Sequence, residues 1–445
     1  MKIRLPFGKT SIEFKMPSSW IDAGAIRPSA NFGEIDLESE FRERLVRSNE
    51  ARSLSREDYS SKRVCVVVDD ATRPTPVHRL FPVLLSFLKE RGVREENLTV
   101  LVACGTHAPM NGSKILERLG LSACNGIRIL NHDCFSQEAI VLLGTSSSGM
   151  RVSVNKAVME ADSLFLVGTI EPHIMAGFGG GVKNLVPGCA GIETIMDTHL
   201  LGPARERFGN VGRDVSECAV RQRIHEAALM IGKDCFLVNT VLDPSGKPVG
   251  LFCGDPDAAF REGCAVARKT WGAPVSSKVD VLVLSSNPMN SDLCQASKAF
   301  GTGIGAVREG GLLIACLSVE NGLGDYCVPP SGMSYEETRD RIRGIGIEEY
   351  VRERERESGR RYSFYETFLT HSNGEALRKA EIYLYCPGVP RKTLESFGFF
   401  KVFDDMGSLL EEAERLFPGA DALRSPYGGV CFPYFEQSLI QEPSV

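Results

Sequence analysis

The sequence predicts an α/β protein: two domains with mainly parallel sheets covered by helices, and a site in the cleft between them. Three observations carry this. Short β-branched runs of strand length alternate with amphipathic stretches of helix length. The runs are apolar throughout instead of alternating, as expected of strands buried on both faces. A Gly-, Pro- and Ser-containing stretch, GAPVSSK at 272–278, separates two such strand–helix series.

The expected strands are 64–68 (VCVVV), 98–103 (LTVLVA), 163–167 (SLFLV), 234–240 (DCFLVNT), 279–284 (VDVLVL), 311–316 (GLLIAC) and 382–386 (IYLYC). Helix-like segments fill 76–91, 217–231, 256–271 and 292–308. The boundary then gives an N-terminal domain over 1–275 and a C-terminal domain over 276–405 that closes over it. Residues 406–445, helix-like over 406–416 and then rich in Pro and Gly, are expected to pack back on the N-terminal domain. Hinges are expected near 272–278 and 405. The charged segment 333–361, ending in ERERESGRR, reads as a solvated helix followed by a loop.

Composition narrows the function. The chain of 445 residues carries 51 Lys and Arg against 57 Asp and Glu, a formal charge of −6, which argues against a dedicated nucleic-acid binder. No apolar run reaches the roughly 18 residues of a membrane span, and the N-terminus alternates charged and apolar residues, unlike a signal peptide. A cytoplasmic location, with no membrane partner, is the expectation. None of the fourteen cysteines is spaced CxxC, and several lie in strand-like runs, so they read as buried thiols in a reducing compartment.

Four unusual motifs each follow an expected strand: DDATRPTP (69–76), GTHAPM (105–110), GTIEPHIMAGFGGGVKNLVPG (168–188) and NPMNSDLCQASKAF (287–300). In open parallel sheets ligands bind at the carboxyl ends of strands, so these loops can meet in one crevice. The glycines at 177 and 179–181 permit close backbone approach to a ligand ahead of Lys183. This is no Walker A loop: Val182 separates the last Gly from Lys183, and Asn184 stands where Ser or Thr would bind magnesium. A purely structural loop capping a helix is the alternative. His107 and His173 both leave strand ends, which suits paired acid/base work near neutral pH, against satisfied structural histidines. Arg73 presents a guanidinium to a carboxylate or phosphate, or pairs locally with Asp70 to stiffen the turn. Gln295 and Lys298, three apart, share a helix face that would look across the cleft, or would simply be solvated. GTGIGA at 301–306 mimics a dinucleotide fingerprint but does not directly follow a strand.

Together, DDATRPTP, GTHAPM, the long glycine motif, DTHLLG (197–202) and QASKAF (295–300) resemble the lactate racemase family, in order and across most of 60–310. The resemblance implies a racemase or epimerase inverting the C2 stereocentre of a 2-hydroxy acid by reversible hydride transfer. It implies a nickel-pincer nucleotide, the pyridinium-3-thioamide-5-thiocarboxylic acid mononucleotide, joined to Lys183 and carrying Ni(II), with His199 as the protein ligand. The acid/base pair falls on His107 and His173. Asp70, Arg73, Gly180 and Gly181 fall on cofactor positions, and Arg73, Gln295, Lys298 and Tyr365 on substrate positions, with Arg73 and Lys298 also assisting catalysis. Cofactor-maturation proteins are implied partners beside the small 2-hydroxy acid, and the chain is expected as a monomer or homodimer.

The sequence also departs from the family. Gly179 stands where relatives often have Ser, and neither Trp20 nor Trp271 matches the tryptophan that the lactate enzyme places near its substrate. Tyr362, Phe364, Tyr365 and Phe368 stand nearby instead. Malate-, aryl- and sugar-acid-type substrates of relatives therefore stay open beside lactate. Two other readings remain: a nicotinamide- or metal-dependent 2-hydroxy-acid oxidoreductase, and a non-enzymatic nickel- or nucleotide-binding protein.

Overall fold

The computed structural model describes residues 2–28, 33–47, 59–123, 126–200 and 210–435. Two six-stranded sheets dominate it. The first runs in the order Pro248–Gly254, Asp234–Leu242, Ser163–Thr169, Val64–Asp69, Leu98–Ala103, Arg128–Asn131. Its pairings are parallel except at Pro248–Gly254, the antiparallel edge. The central strand Val64–Asp69 is buried at every position, which its unbroken apolar run requires of a strand covered on both faces.

The second sheet is parallel throughout: Lys401–Phe403, Glu381–Tyr385, Val307–Cys316, Val279–Ser285, Asp421–Ser425, Ile21–Ala25. Here the structure corrects the sequence reading. Residues 406–416 and 421–425 do not pack back on the first sheet. The helix Met406–Leu416 buries Leu409, Leu410 and Ala413 in the apolar cluster that also holds Val281, Val283 and Tyr383, and Asp421–Ser425 pairs with Val279–Ser285. The amphipathic face of that helix needs a sheet face, and the nearest open one is that of the second sheet. Near 405, where a hinge was expected, Asp405 caps the same helix by accepting from Ser408 N at 2.9 Å. Ile21–Ala25, from the N-terminus, closes the sheet's edge beside Asp421–Ser425. Gly272–Val275, expected as a linker, forms a short parallel pair with Phe432–Phe435. The segment 333–361 contains two helices, Tyr335–Ile345 and Ile347–Ser358, where one helix and a loop were expected.

One apolar cluster runs continuously between the facing sides of the two sheets, joining Val67 and Leu166 to Leu282 and Leu313, while separate clusters cover each sheet's outer face. Both sheets reverse strand order at one point. In the first this lies between Val64–Asp69 and Ser163–Thr169, in the second between Val279–Ser285 and Asp421–Ser425. Loops leaving the carboxyl ends of strands at such points diverge and leave a crevice. Among the described residues no helix is long and apolar enough to cross a membrane.

Candidate active site

The loop after Val64–Asp69 is a turn locked from inside. Asp70, 3% exposed, accepts from Thr72 N at 2.7 Å and Thr72 Oγ1 at 2.5 Å, an Asx turn. This leaves its second oxygen 2.7 Å from His107 Nδ1. Burial pushes the Asp70 carboxyl up, but the bond and charge of His107 and the Thr72 bonds outweigh it and bring it down to about 2. A carboxylate so held takes an N–H from the ring, so His107 carries its proton on Nδ1 and turns the Nε2 lone pair outward. Behind this turn Arg118 donates to Asp69 Oδ1, Asp69 O and Arg73 O. Burial raises Asp69 to about 6 against Arg118 and Thr75. Arg73 reaches the buried Glu171 at 3.3 Å.

The loop after Ser163–Thr169 makes a tight hairpin in which His173 stands opposite Gly177. His173 Nδ1 accepts from Met175 N and Ala176 N, each at 3.2 Å. That pattern assigns the opposite tautomer, with the proton on Nε2. Burial, and after it the charges of Lys183, Arg73 and Lys298, hold this imidazole well below its usual range. The chain then passes Gly180 and Gly181, at φ +72° and +63°, a left-handed pair that side chains disfavour. Gly181 N donates to Asn239 Oδ1 at 2.6 Å, and Asn184 Nδ2 to Val167 O at 2.9 Å, which clamps the short turn Gly181–Asn184 to the sheet. Lys183 rises from this turn with no hydrogen-bond or ion-pair partner among the described residues. Burial, then Arg73, Arg221 and Lys298, hold its amine well below the usual lysine range, against the opposing effect of Glu171.

His199 lies on the helix Ile192–Leu200, with Nδ1 2.8 Å from Ile195 O, its i−4 carbonyl. A metal held by this residue would be held through Nε2, with the backbone carbonyl fixing the ring. Phe364 and Phe368 stand edge-on to it, at 5.7 and 6.0 Å between ring centroids. They come from the helix Phe364–Lys379, whose start is fixed by a reciprocal Ser363–Glu366 cap. Tyr365 on the same turn donates its hydroxyl to Thr106 and so bridges the two sheets' loops. On the second-sheet side Asp292 caps Leu293–Ala296, and Lys298 donates to Gln295 Oε1. Burial, then Arg73, lowers Lys298 to about 8.

One cavity of about 180 Å³ is lined by Asp70, Arg73, His107, His173, Gly180, Lys183, His199, Gln295, Lys298 and Tyr365. Gly181, expected beside them, is not in the lining. A Cβ there would meet Arg221 and Phe260 at 2.7 Å, because the left-handed turn points this position into the core. Gly179 has an ordinary φ, but a Cβ there would press on Glu171 Cγ at 3.3 Å, so the Glu171 side chain would have to give by a few tenths of an ångström. Sequence reasoning missed Glu171, although it sits in the GTIEPH motif. It also missed Arg221 and Asn239, which hold the glycine turn from a helix and a strand that carry no motif.

Known proteins are similar to this chain in sequence and in fold. Residues 7–208 match the family described as the lactate racemase N-terminal domain. A lactate racemase of Thermoanaerobacterium thermosaccharolyticum is 28% identical over 327 residues, covering 72% of this chain and 75% of that protein. In sequence the chain is similar to lactate racemases. The lactate racemase of Lactiplantibacillus plantarum is 27% identical over 333 residues, covering 72% of this chain and 76% of that protein. In fold, the lactate racemase apoprotein of T. thermosaccharolyticum superposes with a TM-score of 0.80 at 22% identity, covering 98% of this chain and all of that one. A protein from Thermotoga maritima superposes with a TM-score of 0.66 at 20% identity, covering 91% of this chain.

Proposed function

We propose that this protein is a racemase or epimerase of a 2-hydroxy acid, lactate being the substrate named for its relatives. The observation that carries the reading is the cavity itself. Two imidazoles of opposite tautomer share it with an unpartnered buried lysine and two further cations. Arg73 and Lys298 suit a substrate carboxylate. His107, backed by Asp70, takes the hydroxyl proton on Nε2, and Asp70 stabilises the imidazolium that results. His173 lines the same cavity and offers Nε2–H as a hydrogen bond to the substrate oxygen. The proton taken by His107 returns to that oxygen when the hydride returns to C2, so the protein ends in its starting protonation state.

The residues also fit a nickel-pincer nucleotide. Among the described residues no cluster of three or more His, Cys, Asp or Glu is placed to hold a metal, so His199 offers a single ligand and the remaining donors would have to come from the cofactor. Lys183 is the amine that would anchor it. When bound, the group supplies a reversible acceptor for the C2 hydride. Arg73 and Lys298 hold the carboxylate while the trigonal centre turns over, and the aromatic edges of Phe364 and Phe368 keep His199 in place.

The test uses protein co-expressed with the cofactor-maturation system. Intact mass should show a covalent adduct, peptide mapping should place it on Lys183, and metal analysis should find one nickel per chain. A panel of chiral 2-hydroxy acids deuterated at C2 should be inverted with the label retained. Release of free keto acid without inversion would overturn the reading.

A further inference from the structure

Beneath the glycine turn lies a buried arginine that no motif announces. Arg221, on the helix Ala219–Leu229, is 1% exposed. Among the described residues no carboxylate pairs with it. Its one hydrogen bond runs from Nη2 to Gly180 O at 3.0 Å, while Nε and Nη1 are buried without partners. Its Cζ sits 3.8 Å from the centre of the Phe260 ring. A buried cation without a counter-ion is costly, and cores normally exchange it for an apolar residue unless it has a task. We propose that Arg221 is a positioning residue for Lys183: a permanent charge beneath the Gly180–Gly181 turn that fixes the lysine's direction and keeps its amine a free base, ready to be acylated.

The geometry supports both halves. The Arg221–Gly180 bond and the Asn239–Gly181 bond grip consecutive residues of the turn from different elements, three and two residues before Lys183. The guanidinium is close enough that a Cβ on Gly181 would strike it. Arginine keeps its charge where a buried lysine would lose it, so only Arg holds this effect across the working pH range. The groups facing the Lys183 amine are Arg73 and Glu171 from the first-sheet loops, Lys298 from the second-sheet side, His173 from the hairpin, and Arg221 from below. Of the cations, Arg221 alone lies outside the cavity, where no substrate neutralises it.

The inference rests on Lys183 as the anchoring amine, but its test needs neither cofactor nor turnover. Cofactor-free protein is pulse-labelled with acetic anhydride across a pH series, and the Lys183 and Lys298 peptides are quantified by mass spectrometry. Lys298 is the control, since it shares the cavity but owes its shift to burial and Arg73. Arg221→Gln, which keeps a donor for Gly180 O, should raise the Lys183 labelling midpoint by about one pH unit, roughly a tenfold loss of free base at pH 7. The Lys298 midpoint should stay. Phe260→Leu, which lets water screen the guanidinium, should move Lys183 in the same direction by less. Unchanged Lys183 midpoints in both variants, or equal movement of Lys183 and Lys298, would overturn the proposal. A failed adduct on Lys183 in matured protein with these midpoints intact would instead count against the cofactor reading.

Discussion

At the scale of single residues, the two site histidines differ in what holds Nδ1: a carboxylate for His107, two backbone N–H groups for His173. ¹⁵N-histidine NMR of the cofactor-free protein should therefore show His107 protonated on Nδ1 and His173 on Nε2, with His173 uncharged well into the acid range. Identical tautomers would refute this. Enantiomers have equal energy, so a racemase must show equal kcat/KM in both directions at every pH. The asymmetry of the pair should emerge as kcat and KM that differ between enantiomers by one common factor. Lys298 gives a second prediction. With its amine lowered to about 8, it is charged below that pH and neutral above it. The KM for a carboxylate substrate should rise as pH increases through about 8, and Lys298→Arg should abolish that rise, as measured by steady-state kinetics of the matured enzyme.

At the scale of elements, the glycine turn is the part that tolerates least. A Cβ at Gly180 would lie 2.7 Å from Thr169 O and from Asn239 Oδ1, at a φ that L residues disfavour. Gly180→Ala should cost about 1–3 kcal/mol in urea unfolding and reduce adduct formation on Lys183. Gly179→Ala, with ordinary φ, should cost far less. This difference also marks how far the sequence could be read. The strands bearing the motifs were legible because both faces are buried and the runs are apolar throughout, and Asp70, Arg73, His107 and His173 because they follow strand ends, whereas His199 and Tyr365 lie on helices and were named only through the family resemblance. Gly180 was legible as a place of close approach, whereas the inward turn of Gly181 was not, because chain direction at a left-handed residue depends on Asn239 and Arg221 from distant segments. Arg221 lies in a helix whose sequence, AVRQRIHEAAL, looks like an ordinary solvated face. Asp421–Ser425 was not recognised as a strand because DALRS carries little β signal and is held by pairing with Val279–Ser285.

At the scale of the whole molecule, the N-terminus belongs to the second sheet. Ile21–Ala25 covers the flank of Asp421–Ser425, and Ile3, Leu5, Phe14 and Trp20 extend the core on that sheet's outer face. Deleting residues 1–28 should leave the first sheet and its loops assembled but lower the melting temperature and promote aggregation, as light scattering during a thermal ramp would show. An unchanged melting curve would mean that these contacts contribute little. The same pairing has a consequence for synthesis. Ile21–Ala25 leaves the ribosome about 400 residues before Asp421–Ser425, an interval of roughly 20–80 s at ordinary elongation rates. The first sheet, complete once Pro248–Gly254 has emerged, is finished long before. A nascent chain thus carries Ile21–Ala25 without its strand partner through most of translation, which makes it a client for ribosome-bound chaperones until Asp421–Ser425 arrives.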